Sequence, residues 1–290
     1  MFRGSLVALL TPFDGDRLDE ASLRRLVDWH IDEGTHGLVP VGTTGESPTL
    51  THDEHCRVIE IVAEQAAGRV PVIAGAGSNN PVEAIEYSVC AQEAGANATL
   101  HVAGYYNRPN QDGLYAHFKM LHDATELPII VYNIPPRAVV DIKPETLARM
   151  AELPRIVGVK DATGDLNRPW AERQLIKKPF AWLSGEDGTA VSYNVGGGQG
   201  CISVTANVAP RLCAQLQDLT LAGKWEEARA LQDKLMPLHQ VLFAEPNPAC
   251  PKYALSLLGM ASEHCRIPVV PLQQDTKARI RRVMEELELI

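Results

Sequence analysis

Gly37-Leu38-Val39-Pro40-Val41 runs directly into Gly42-Thr43-Thr44-Gly45-Glu46-Ser47, and a helical pattern opens at Thr51; together they make one complete β/α unit. The run 37–41 is short and apolar, as a strand covered on both faces of a parallel sheet must be. Thr51 with Glu54 three residues later forms a capping box, and Val58, Ile59, Val62 and Ala63 then recur at helical spacing. The same grammar repeats outward from this unit. Apolar runs bounded by Gly, Pro or Asn stand at 6–10, 71–76, 98–102, 129–132, 156–160, 181–184 and 200–204. Asp19 opens the first helix, whose apolar face is Leu23, Leu26, Val27 and Ile31. Eight alternating units within about 200 to 250 residues predict an α/β (β/α)8 TIM barrel, with a doubly wound open sheet as the alternative. Beyond residue 205 only helical patterns recur, at 210–222, 225–243, 252–258 and 275–287. The chain therefore reads as a barrel over 1–222 that carries the catalytic site and a C-terminal helical region over 223–290.

The chain has 290 residues, 45% of them hydrophobic and 22% charged, the balance of a globular protein with a sizeable core. Lys and Arg number 27 against 36 Asp and Glu, a net charge of −9. With no basic run to offset that charge, nucleic acid and anionic membrane are poor partners. No apolar stretch is long enough to span a bilayer, and the N-terminal residues lead straight into a strand, so a cytoplasmic location is expected. Cys56, Cys90, Cys201, Cys213, Cys250 and Cys265 include no C-x-x-C pair, so neither a zinc site nor a disulfide framework is signalled and the thiols are expected to be reduced.

In a TIM barrel the chemistry sits where the strands end. After the second strand, Thr43 and Thr44 offer two hydroxyls between glycines whose backbone can approach a carboxylate; the same pattern also suits a plain helix-capping turn. The fifth strand ends in Tyr132, a phenol able to relay protons, with Arg137 following as a carboxylate fork. The sixth ends in Lys160. A lysine closing an apolar strand at the barrel mouth is in a setting that favours the neutral amine, which Schiff-base chemistry needs, although position alone slightly favours a lysine that simply reaches solvent at the strand end. Tyr105 and Tyr106 follow the fourth strand as interface anchors or proton relays. Gly196-Gly197-Gly198-Gln199-Gly200 resembles a phosphate cradle but precedes the last strand, on the wrong face of a barrel, and reads as a tight turn. His52 and His55 lack a third ligand at a metal spacing, so no metal is expected.

Gly-Thr-Thr-Gly-Glu at 42–46, Tyr-Asn-Ile-Pro at 132–135 and Gly-Val-Lys-Asp-Ala-Thr-Gly at 158–164, in that order, resemble the dihydrodipicolinate synthase and N-acetylneuraminate lyase superfamily of pyruvate-dependent class I aldolases. The resemblance extends through Ser203-Val204-Thr205-Ala206-Asn207 and Glu245-Pro246-Asn247-Pro248 and is closest to the dihydrodipicolinate synthase branch. It implies that Lys160 forms an imine with pyruvate while Tyr132, Thr43 and a partner subunit's copy of Tyr106 move protons. Thr44 and the backbone of Ile202 would hold the pyruvate, and Arg137 the carboxylate of L-aspartate 4-semialdehyde. It further implies no organic cofactor, a homotetramer built as a dimer of dimers, and L-lysine as a feedback inhibitor held by Ser47, Pro48, His52, His55, Asn79, Glu83 and Tyr105. Ala103-Gly104 and Pro136 depart from the residues usual in the family at those places. Two alternatives stay open: a sibling aldolase using N-acetylneuraminate or a 2-keto-3-deoxy sugar acid, and a non-catalytic paralogue that binds lysine or pyruvate.

Overall fold

The computed structural model describes residues 2–290. Its principal sheet contains β1 (Gly4–Ala8), β2 (Gly37–Val39), β3 (Ile73–Gly75), β4 (Ala98–Val102), β5 (Ile129–Asn133), β6 (Ile156–Asp161), β7 (Ala181–Ser184) and β8 (Gly200–Ser203). Neighbouring strands are parallel in the order β2-β1-β8-β7-β6-β5-β4-β3, and a parallel bridge between Leu38 and Val72 joins the two ends. That closure makes the TIM barrel and removes the open-sheet alternative. Helices α1 (Glu20–Asp32), α2 (His52–Ala66), α3 (Pro81–Glu93), α4 (Gln111–Ala124), α5 (Pro144–Ala151), α6 (Arg168–Leu175), α7 (Ala190–Val195) and α8 (Pro210–Leu221) alternate with the strands.

The period-two alternation of each strand divides its side chains between two apolar layers. Leu6, Ala8, Val39, Ile73, Leu100, Ile130, Leu183 and Ile202 fill the barrel interior. Their neighbours Val7, Leu38 and Val72 pack instead on Leu23, Leu26, Val58 and Ile59 of the first two helices. Asp19 caps α1 by accepting from the Ser22 N–H at 2.9 Å, and the Thr51–Glu54 capping box is formed at the start of α2.

After α8, the helices α9 (Trp225–Val241), α10 (Ala249–Leu257) and α11 (Gln274–Glu286) build a third core around Leu216, Leu235, Leu238, Leu242, Ile280 and Met284. Burial of each such side chain contributes about 1.5–3 kcal/mol, so this region adheres to the barrel through an apolar seam. A short antiparallel hairpin, Phe13–Asp14 with Arg17–Leu18, was not foreseen from the sequence; two-residue strands leave no periodic signal. Among the described residues, no helix is long and apolar enough to cross a membrane.

The cysteine expectation requires correction. Cys56 on α2 and Cys90 on α3 are joined as a disulfide, with their Cα atoms 5.8 Å apart, while Cys201, Cys213, Cys250 and Cys265 are free. The two bonded residues are 34 apart in sequence, and only the side-by-side packing of two outer helices brings them together. A spacing rule written for local pairs cannot detect such a contact.

Candidate active site

Tyr132 and Lys160 are register partners on β5 and β6, so both project inward near the C-terminal mouth of the barrel. The Lys160 side chain is 7% exposed, and its Nζ lies over the Tyr132 ring, 4.1 Å from the centroid. Gly185, just after β7, makes room for it: a Cβ there would stand 3.2 Å from Lys160 Cε and 2.9 Å from the Ala162 side chain. Both residues line a cavity of about 710 Å³ together with Thr43, Thr44, Arg137, Glu186 and Asn247. A buried amine, a phenol at its side, two hydroxyls and an exposed guanidinium at the rim thus share one cavity. Such a set can form an imine, move protons around it and hold a carboxylate.

Backbone strain concentrates in the loops that shape this space. Val41, Glu46 and Tyr106 have φ of 49°, 57° and 66°, in the left-handed region that non-glycine residues rarely occupy. Thr44 Oγ1 accepts a hydrogen bond from Asn247 Nδ2 at 3.0 Å, which ties the strand-2 loop to the chain just before α10. Behind β8, Asp187 is a buried hub: its Oδ2 accepts from the Val204 and Thr205 N–H groups at 2.9 and 3.2 Å, and its Oδ1 accepts from the Ser203 hydroxyl. Asn207 accepts from the Leu10 N–H at 3.1 Å and donates to the Ala8 carbonyl at 2.8 Å, fastening the end of β1 to the segment after β8.

The residues singled out from sequence fall into four places. Lys160, Tyr132, Thr43, Thr44 and Arg137 share the cavity with Ser47, Pro48, Glu83 and Tyr105. Ile202 lies in the barrel interior beneath the cavity, packed with Tyr132 in the same apolar cluster. Tyr106 points away, 91% exposed, and the other three residues lie beside the cavity. His52 and His55 stack on Tyr87 of α3, at ring separations of 5.4 and 3.9 Å, and the Asn79 carbonyl accepts from Asn107 Nδ2 at 3.0 Å. His55 Nε2 donates to the Gly75 carbonyl at 2.8 Å, leaving Nδ1 to face the Ser47 hydroxyl at 3.3 Å. Burial lowers the His55 pKa to about 4, so this imidazole is neutral at physiological pH.

Sequence reasoning missed Tyr87, Glu186, Phe243 and Asn247, all of which line the cavity. Tyr87 carried a usable signal, one helical turn after Glu83 on α3. The other three come from segments whose approach to the mouth is set by packing.

A second group of polar residues lies on the opposite face of β6. Asp161 and Glu172 are 6% and 2% exposed, and burial raises both carboxyl pKa values, that of Glu172 to about 8. Asp161 is the chief charge adding to the Glu172 shift; Arg168 and the Trp182 indole oppose it, Asp141 reinforces it, and Tyr193 faces both carboxyls from α7. An unfolded glutamate titrates near about 4.3, so between that pH and about 8 the folded chain holds a proton the unfolded chain has released. Stability from this group is therefore full at low pH and declines as pH rises, by up to about 1.4 kcal/mol per pH unit, then levels off. Glu172→Gln is expected to remove that decline. Thermal melts from pH 5 to 9 should show its Tm advantage over the parent growing up to about pH 8 and constant above; a pH-independent difference would contradict the assignment.

Against known proteins, the chain matches the Dihydrodipicolinate synthetase family over residues 1–287. It is 58% identical over 290 residues to the 4-hydroxy-tetrahydrodipicolinate synthase of Ruegeria pomeroyi, covering 100% of both chains. Among solved structures it resembles the chloride-inhibited dihydrodipicolinate synthase of Acinetobacter baumannii complexed with pyruvate, with a TM-score of 0.98, 42% identity and 100% of both chains covered. The enzyme of Cyanidioschyzon merolae with lysine bound gives a TM-score of 0.97 at 33% identity, covering 100% of this chain and 99% of that one. With three ordered motifs, a closed barrel and a lysine at its mouth all agreeing with full-length matches, the chain belongs to the dihydrodipicolinate synthetase family.

Proposed function

We infer that this chain is a 4-hydroxy-tetrahydrodipicolinate synthase, condensing pyruvate with L-aspartate 4-semialdehyde in the diaminopimelate route to lysine. The observation that carries the reading is the inward Lys160 beside Tyr132 in the cavity. The Lys160 amine adds to the keto carbon of pyruvate and water leaves, giving an iminium. The pyruvate methyl then loses a proton to the hydroxyl relay of Tyr132, Thr43 and a partner subunit's copy of Tyr106, and the electron pair of the broken C–H bond makes the enamine. The enamine carbon attacks the aldehyde, whose oxygen takes up a proton. The amino group of the former semialdehyde displaces Lys160 and closes the ring, releasing (4S)-4-hydroxy-2,3,4,5-tetrahydrodipicolinate. The iminium is itself the electron sink, so the chemistry needs no metal or organic cofactor.

Thr44 and the Ile202 backbone hold the pyruvate end, and Arg137 at the rim holds the semialdehyde carboxylate. That guanidinium supports the semialdehyde over a polyhydroxy acceptor, which calls for neutral hydrogen-bonding groups. The near-complete exposure of Tyr106 supports its service to a neighbouring subunit and hence a dimer of dimers. We further propose a cytoplasmic location, and L-lysine as an inhibitor that enters where Ser47, Pro48, Glu83 and Tyr105 line the cavity, with His52, His55 and Asn79 beside them.

The test is borohydride reduction with pyruvate followed by intact and peptide mass spectrometry, with and without the semialdehyde added first, alongside initial rates across millimolar lysine. A pyruvate adduct on Lys160 that the semialdehyde discharges, together with falling rates, is the expected result. A persistent adduct would point to a sibling aldolase, an absent one to a binding paralogue, and unchanged rates would remove the lysine site.

A further inference from the structure

Glu46 ends the Gly-Thr-Thr-Gly-Glu motif, yet its side chain is not among those lining the cavity. Its carboxylate is buried, 4% exposed, and turned toward the C-terminal helical region. There it pairs with the ammonium of Lys252 on α10, which is 1% exposed, and it accepts from the Arg266 backbone N–H at 2.9 Å. Lys252 Nζ in turn donates to the His264 carbonyl at 2.8 Å and lies over the Phe13 ring, 4.1 Å from its centroid. The Glu46 backbone N–H donates to the Thr43 carbonyl at 3.2 Å, so the residue that carries the buried charge also closes the turn that presents the two hydroxyls.

We propose that Glu46 and Lys252 are positioning residues for Thr43 and Thr44, joining the strand-2 loop to α10 through a buried ion pair that sets where the two hydroxyls stand in the cavity. The inference rests on the roles given above to that threonine pair.

Three features point to positioning beyond adhesion. The apolar seam of α9 to α11 already attaches the C-terminal region, and a buried ion pair adds less stability than well-packed hydrocarbon of the same volume. The pair is directional, because the carboxylate accepts from the Arg266 N–H while the ammonium donates to the His264 carbonyl and lies over the Phe13 ring, contacts from two separate segments of the chain. It also sits beside the second link between the same two segments, the hydrogen bond from Asn247 to Thr44, so the loop is held at both its hydroxyl and its carboxyl ends. A left-handed Glu46 backbone persists only if its surroundings over-determine it, and these contacts do so.

The experiment compares Glu46→Gln, the double variant Glu46→Gln/Lys252→Met and Thr44→Val in the full chain, reading Tm, kcat, KM for pyruvate and borohydride trapping at Lys160. Displacement of a site by about 1 Å can cost about 10²-fold, so Glu46→Gln should lower kcat/KM for pyruvate by about 10- to 100-fold while the adduct still forms at saturating pyruvate. The double variant, which removes both charges, should recover most of the Tm lost in Glu46→Gln and keep the raised KM. It also serves if the single variant does not fold. Recovery of Tm and KM together would mean that the pair is only structural, and would overturn the inference. So would parental kinetics in Glu46→Gln while Thr44→Val raises the pyruvate KM, an outcome that leaves the site reading intact. Parental KM in Thr44→Val would instead show that the threonine reading itself fails, and the inference with it.

Discussion

Lys160→Ala is expected to lower kcat/KM by roughly 10⁴-fold or more, the scale on which loss of a covalent nucleophile is felt, and to abolish the borohydride-stable pyruvate adduct. The effect should be catalytic and not a failure to fold. Lys160 Nζ lies over the Tyr132 ring, and truncation leaves space continuous with the cavity, not a closed void in the core. A parental melting profile with no adduct and no turnover is the outcome that fits. Residual turnover within about tenfold of the parent, or an adduct on another lysine, would show that the imine is made elsewhere.

Tyr132→Phe is expected to lower kcat by about 10²- to 10⁴-fold, the usual worth of a positioned proton donor and acceptor. The substitution removes one oxygen and keeps the ring that packs against Lys160 and the barrel interior. Trapping of pyruvate should therefore survive at long incubation, while exchange of the pyruvate methyl protons with deuterated solvent, followed by NMR, should slow along with turnover. Exchange at the parental rate with slowed turnover would place the phenol in a later proton transfer and overturn the enamine role given to it.

The barrel was legible because each strand is buried on both faces and so stands out as an apolar run between Gly, Pro and Asn punctuation. The expected runs 98–102 and 181–184 coincide with β4 and β7, whereas β1 begins two residues before its expected run at 6–10. At its other end the expected run outlasts β1, because Leu9 and Leu10 stay buried past the strand, with the Leu9 N–H bonded to the Val39 carbonyl at 3.0 Å and the Leu10 N–H to the Asn207 side chain. Lys160 was legible for the opposite reason, a charged side chain closing a run in which every other residue is apolar or glycine. The Cys56–Cys90 bond and the Asp187 hub were not legible, since each joins residues from separate β/α units, and the facing carboxyls of Asp161 and Glu172 were not legible because no recurring interval links a strand end to the helix that packs back on it.

By itself the sequence determined the alternation of strands and capped helices, the placement of Lys160 and Tyr132 at strand ends, and the family to which the three ordered motifs belong. These follow from local rules: two-residue periodicity, capping chemistry and residue type at a strand end. Only the tertiary structure decided that Glu186 and Asn247 enter the same cavity, that Tyr106 faces outward, and that Glu46 and Lys252 meet out of water. Those contacts span from a few tens to about two hundred residues of chain and depend on barrel closure and on how the C-terminal helices dock, neither of which leaves a periodic trace in the order of amino acids.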